Sequence, residues 1–70
     1  MLRVRLKVKD LIHKRGLTQV QLSELTGIRQ AAISEMSRDI RENVSLRHLE
    51  KIANALNITD IREIIDIVDE

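Results

Sequence analysis

Gly27 is one of only two glycines in a chain of 70 residues that has no proline, and it falls between two segments whose apolar spacing is helical. Before it, Thr18 and Gln21 form the T-x-x-Q of a capping box. The hydroxyl takes one orphan amide of the first helical turn, and the Gln side chain returns to the Thr amide. A helix therefore starts at Thr18, with Leu22 and Leu25 as its apolar edge, and Gly27 ends it. Beyond the glycine, Ile33, Met36 and Ile40 make the stripe of a helix over 30–38. Gln30, Ala31, Ser34, Glu35 and Arg38 occupy its opposite face. Arg29 stands where a capping Ser or Thr is expected, so this helix starts without a side-chain cap.

The flanking segments follow their own periods. Leu2, Arg3, Val4, Arg5, Leu6, Lys7 and Val8 alternate apolar and basic residues, a strand pattern. Val8, Leu11 and Ile12 then switch to helical spacing, and Lys14, Arg15 and Gly16 close that helix with cations and a glycine. Arg38 to Val44 reads as a loop. Ser45 caps a further helix carrying Leu46, Leu49, Ile52, Ala53 and Leu56 on one face, which Asn57 closes. Thr59 or Asp60 opens a short last helix. Past it the pattern is ambiguous: Ile61, Ile64 and Ile65 are spaced as in a helix, whereas the density of β-branched side chains from Ile64 onward favours a strand. An isolated strand leaves its backbone groups unsatisfied, so residues 2–8 need a partner, and residues 64–70 form the only other β-rich segment. The ends are expected to pair as a small two-stranded sheet, with Leu2, Val4 and Leu6 facing the helices and Arg3, Arg5 or Lys7 across from Asp66 or Glu70. The alternative is a frayed N-terminus and one continuous helix over 60–67.

Size and composition narrow the function classes. A chain this short has one core and no room for a large catalytic cavity. With no Phe, Tyr or Trp, it cannot recognise single-stranded nucleic acid by stacking bases on aromatic rings. The absence of Cys removes disulfides, zinc fingers and thiol catalysis together. The longest run of Ala, Val, Ile, Leu and Met is Ala31 to Ile33, too short for a membrane span or a signal peptide, so a soluble, cytoplasmic chain is expected. His13 and His48 have no partners at metal-ligand spacing, no nucleophile stands with a base, and no cofactor-binding motif is present. No enzyme activity is expected. The formal net charge of +1 conceals an asymmetry: residues 1–41 hold nine Lys or Arg against four Asp or Glu, and residues 42–70 hold three against seven. This suggests either an anionic partner for the first part or an attraction between the two parts.

A short helix, a turn with Gly27 and a second helix let two helices cross steeply, so that the second projects and fits a major groove. A small residue where the helices touch, Ser23, and apolar residues at Leu22, Leu25, Ile28, Ile33 and Met36 complete the pattern. The stretch LTQVQLSELTGIRQAAISEMSR resembles the Cro/phage-repressor (XRE) family of helix-turn-helix regulators, with the match running from Gln19 to Arg38. VKDLIHKRG resembles that family's first helix and SLRHLEKIANALNI its fourth, so the resemblance covers most of the chain.

The resemblance implies residue roles. Gln19, at the start of the second helix, would meet a DNA phosphate. Gln30, Ala31, Ser34 and Glu35 would face base edges. For Gln30 the chemistry agrees, since an amide pairs bidentately with adenine, and Ala31 could touch a thymine methyl. Arg29, Arg38 and Arg41 would hold phosphates and fix register. Family members commonly carry a small hydroxyl residue at the position of Arg29, a polar or basic residue at Glu35 and glycine at Asp39. Glu35 is repelled by phosphates unless it accepts from a cytosine amino group.

The expected fold is all-α: residues 1–70 form a single repressor-like domain of five helices, the last short, with the helix-turn-helix unit at 18–38 and the small sheet of the chain ends. The expected function is sequence-specific binding of double-stranded DNA as a transcriptional regulator, as a homodimer. The alternative is a protein partner, as for the antitoxin of a toxin pair, which Glu35, Asp39 and the acidic tail favour and the basic first half opposes.

Overall fold

A computed structural model of the chain describes residues 1–38 and 43–70. Along it run strand β1 (Leu2–Leu6), helices α1 (Val8–Lys14), α2 (Gln19–Thr26), α3 (Gln30–Ser37) and α4 (Leu46–Leu56), a 3-10 turn at Ile61–Glu63, and strand β2 (Ile65–Asp69). Most helix ends fall at a residue suited to end them. The Thr18 hydroxyl accepts from the Gln21 N–H at 3.1 Å while the Gln21 side chain accepts from the Thr18 N–H at 2.9 Å, which is the capping box expected from the sequence. Ser45 accepts from the His48 N–H at 3.3 Å. Gly27 and Asn57 close α2 and α4 in the left-handed region, at φ of 75° and 58°. Arg29 gives α3 no side-chain cap.

Ile33, Ile52, Leu22, Met36, Val8 and Ile64 are the largest fully buried side chains. They come from α3, α4, α2, α1 and the segment before β2, so one core joins all parts of the chain. α3 packs against α1 and α2, and α2 also packs against α4. This arrangement buries one side of α3 and leaves the other to solvent.

The chain ends pair antiparallel, with Leu2 opposite Asp69, Val4 opposite Ile67, Arg5 opposite Asp66 and Leu6 opposite Ile65. The terminal sheet, and Arg5 across from Asp66, are as the sequence suggests. Arg3 also reaches Glu70 at 3.5 Å.

Other expectations are corrected. Among the described residues there are four α-helices and not five. Asp60 does start a turn, its Oδ1 accepting from the Arg62 N–H at 3.0 Å. The β-branched run that follows then takes extended backbone against β1, and only a 3-10 turn at Ile61–Glu63 remains. Of the three β1 residues expected to face the helices, only Leu6 is buried; Leu2 and Val4 are exposed because they lie farther along the strand, past the edge of the core. Leu25 is exposed as well. The less exposed side of α2 is Gln19, Leu22, Ser23 and Thr26, spaced i, i+3, i+4, i+7, and Leu25 falls beside that stripe. Leu46, in the first turn of α4, is likewise exposed. Ile40 of the α3 stripe and most of the loop over 38–44 lie outside the described residues.

Candidate nucleic-acid interface

The exposed side of α3 follows from its burial. With about 100° per residue, Gln30, Ser34, Arg38, Ala31 and Glu35 fall within an arc of about 140°, opposite the buried Ile33 and Met36. Gln30, Ala31 and Arg38 are exposed, as is Arg29 just before the helix, whereas Ser34 and Glu35 are half-buried. Glu35 already has an interaction of its own. Gln19, half-buried, opens α2 beside the Thr18 cap. The structure thus gathers Gln30, Ala31, Ser34, Glu35 and Arg38 on one helix face, with Arg29 at its start. Arg41 and Asp39 lie outside the described residues.

The α2–α3 turn fixes how α3 projects. Gly27 donates its N–H to the Ser23 carbonyl at 2.8 Å, using the left-handed backbone that glycine adopts at least cost. The next residue, Ile28, is buried and has both backbone groups held by side chains of α2. Its carbonyl accepts from the Ser23 hydroxyl, and its N–H donates to Thr26 Oγ1 at 3.2 Å. The Thr26 hydroxyl in turn donates to the Leu22 carbonyl at 2.7 Å. Ser23 is legible in the sequence as the small residue at the helix contact, whereas the role of Thr26 emerges from the structure. The available signal was a hydroxyl residue immediately before a helix-ending glycine, where it can bond the turn that follows.

Much of the basic charge of the first half is engaged internally. Arg5 pairs with Asp10 at 2.9 Å. Arg15 donates to the Leu56 carbonyl at 3.0 Å and lies 3.8 Å from Glu63, and Lys7 Nζ donates to the Arg62 carbonyl at 3.1 Å. Arg3, Lys7 and Arg15 thus turn toward the C-terminal part of the chain, whereas the Arg5 pair stays within the first half. By contrast, Arg29 and Arg38 form no ion pair among the described residues. They stand at the two ends of α3. Among the described residues no group of three His, Cys, Asp or Glu could hold a metal ion, and no helix is long and apolar enough to cross a membrane.

Residues 7–70 match the family model of the Cro/C1-type helix-turn-helix DNA-binding domain. The chain belongs to that family. It is 34% identical over 58 residues to the SPbeta prophage-derived uncharacterized HTH-type transcriptional regulator YopS of Bacillus subtilis (strain 168), covering 80% of this chain and 78% of that protein. Its fold is similar to the crystal structure of the transcriptional regulator VanUg (form II), with a TM-score of 0.74 and 30% identity over 99% of this chain and 89% of that one. The chain is thus a Cro/C1-type DNA-binding domain of the kind found in transcriptional regulators. Nothing in these likenesses favours the antitoxin alternative.

Proposed function

We propose that this Cro/C1-type domain regulates transcription by laying α3 in the major groove of an operator, as a homodimer acting in the cytoplasm. The observation that supports this most is the exposed side of α3, where Gln30 and Ala31 stand opposite the buried Ile33 and Met36 and between the cations Arg29 and Arg38. In this reading Gln30 pairs with adenine, Ala31 meets a thymine methyl, and Ser34 and Glu35 approach neighbouring base edges. Gln19, Arg29, Arg38 and Arg41 hold phosphates and set the register. One helix of this length covers few base pairs, so affinity comes from two copies in successive major grooves about 34 Å apart, on an inverted repeat.

The experiment is a selection from a random duplex pool, followed by anisotropy titrations of the selected and a scrambled duplex over a range of salt. Gln30→Ala is expected to lose about 1–3 kcal/mol on the selected site and little on scrambled DNA. Arg38→Ala is expected to weaken both and to lower the salt slope by about one. Equal losses on both duplexes for both variants would refute these roles.

A further inference from the structure

The start of α3 is held from outside the helix. Arg29 gives it no side-chain cap, and its ladder begins at the Arg29 carbonyl, which accepts from the Ala32 and Ile33 N–H groups at 3.0 and 3.2 Å. The residue before, Ile28, is the pivot. Its side chain is buried, 3% exposed, and both of its backbone groups are bound by hydroxyls of α2. The N–H donates to Thr26 Oγ1 at 3.2 Å, and the carbonyl accepts from Ser23. Thr26 is itself fixed, because its single hydroxyl proton goes to the Leu22 carbonyl at 2.7 Å. That leaves the oxygen lone pairs for the Ile28 N–H.

Two kinds of contact constrain α3, and they constrain it differently. Ile33 and Met36 bury one side of it in the core through apolar packing, which is non-directional. The hydrogen bonds to Ile28 are directional and weaken steeply as they bend. Ser34 stands roughly 10 Å beyond Ile28 along the helix. A pivot of about 10° at Ile28 therefore carries Ser34 and Glu35 about 2 Å sideways, whereas good N–H···O distances spread over only about 0.5 Å. Gln30, close to the pivot, moves least. A long arginine side chain on a phosphate follows such a shift, and that contact carries no sequence information.

We propose that Thr26 is a positioning residue for base readout. Its hydroxyl, with that of Ser23, holds the peptide groups of Ile28 so that α3 meets the groove at one angle and Ser34 and Glu35 come within reach of base edges. Thr26 touches neither base nor phosphate in this role; it acts through Ile28. The proposal rests on the DNA reading above and adds to it a determinant of specificity that lies outside the contact face.

The test compares Thr26→Val, which keeps the shape and removes the hydroxyl, with Thr26→Ser, which keeps the hydroxyl. Both are titrated by anisotropy on the selected and the scrambled duplex, at a temperature where melts show each chain folded. Thr26→Val is expected to lower the ratio of the two affinities about tenfold, the worth of one good base contact, with the affinity for scrambled DNA and the salt slope unchanged. Thr26→Ser is expected to keep the ratio of the unsubstituted chain. A role in stability alone weakens binding to both duplexes alike. That outcome, an unchanged ratio for Thr26→Val, or a ratio lost in Thr26→Ser would overturn the proposal. Should Thr26→Val not fold, Ser23→Ala decides by the same ratio, since it frees only the Ile28 carbonyl: a lowered ratio supports the proposal and an unchanged one overturns it. If the unsubstituted chain does not distinguish the two duplexes, the DNA reading fails and the proposal with it; if it does and the variants do as well, the positioning role alone fails.

Discussion

Ser23 of α2 donates its hydroxyl proton to the carbonyl of Ile28 across the turn that launches α3. This bond ties the orientation of α3 to a side chain on the helix behind it, and Ile28 is buried at that junction. Ser23→Ala leaves the carbonyl without its partner and is expected to cost about 1–3 kcal/mol. Urea unfolding measures that loss. Binding to the selected duplex should fall as well, although Ser23 lies outside the proposed contacts.

Gly27 stands at φ 75° with nothing within 4 Å of where a Cβ would sit. The cost of a side chain there is therefore one of backbone conformation alone. Gly27→Ala is expected to destabilise by about 1–2 kcal/mol, and Gly27→Asn by less, because Asn tolerates the left-handed region better. Thermal melts of the two variants should rank in that order; the reverse order would show that something other than backbone conformation limits this turn.

Ile64 is 1% exposed and joins the 3-10 turn to β2. Ile64→Ala is expected to cost about 2–5 kcal/mol, a large share of the stability of so small a domain. Three residues on, Ile67→Ala is expected to change the stability of the free chain by less than about 0.5 kcal/mol, as for other exposed sites. Denaturant midpoints give both values.

Asp60 is held by Arg62, whose side chain donates to it at 2.7–3.1 Å and whose backbone N–H donates at 3.0 Å. The side-chain bonds, and after them the backbone bond, lower its pKa from the ordinary 3.8 to about 2. A carboxylate whose folded pKa is depressed stabilises the fold above its unfolded pKa and loses that contribution as pH falls through the folded one. The turn is therefore expected to weaken between pH 3.8 and about 2, and Asp60→Asn to remove that part of the acid sensitivity. Carbon-detected NMR titration of the Asp60 carboxyl, with acid unfolding of both proteins, checks it. A midpoint at the ordinary value would show that the fork with Arg62 does not persist in solution.

The parts of the fold legible in the sequence are those set by local chemistry. Thr18 with Gln21, Ser45, Gly27 and Asn57 marked helix ends because each supplies a hydrogen bond or a backbone conformation that few other residues supply there. The alternation of residues 2–8 announced a strand in need of a partner. The exposed side of α3 was legible from the spacing of Ile33 and Met36. Leu25 and Leu46 misled because an apolar residue near a stripe looks the same as one in it until the neighbouring helices are placed. The fifth helix misled because Ile61, Ile64 and Ile65 suit either period, and local preference did not separate them.

By itself the sequence determined where helices start and stop, which side of α3 stays polar, and that the charges of its two halves have opposite sign. These depend on contacts a few residues apart, where side-chain chemistry decides the outcome. Only the tertiary structure decided that the short last helix is reduced to a 3-10 turn, that Thr26 and Ser23 lock Ile28, that Arg3, Arg15 and Lys7 turn toward the C-terminal part of the chain while Arg29 and Arg38 form no ion pair among the described residues, and that the ribbon runs past the core. Each of these joins or separates groups through the packing of whole elements. Burial and the distance between remote residues are properties of that packing, and no local pattern in the chain carries them.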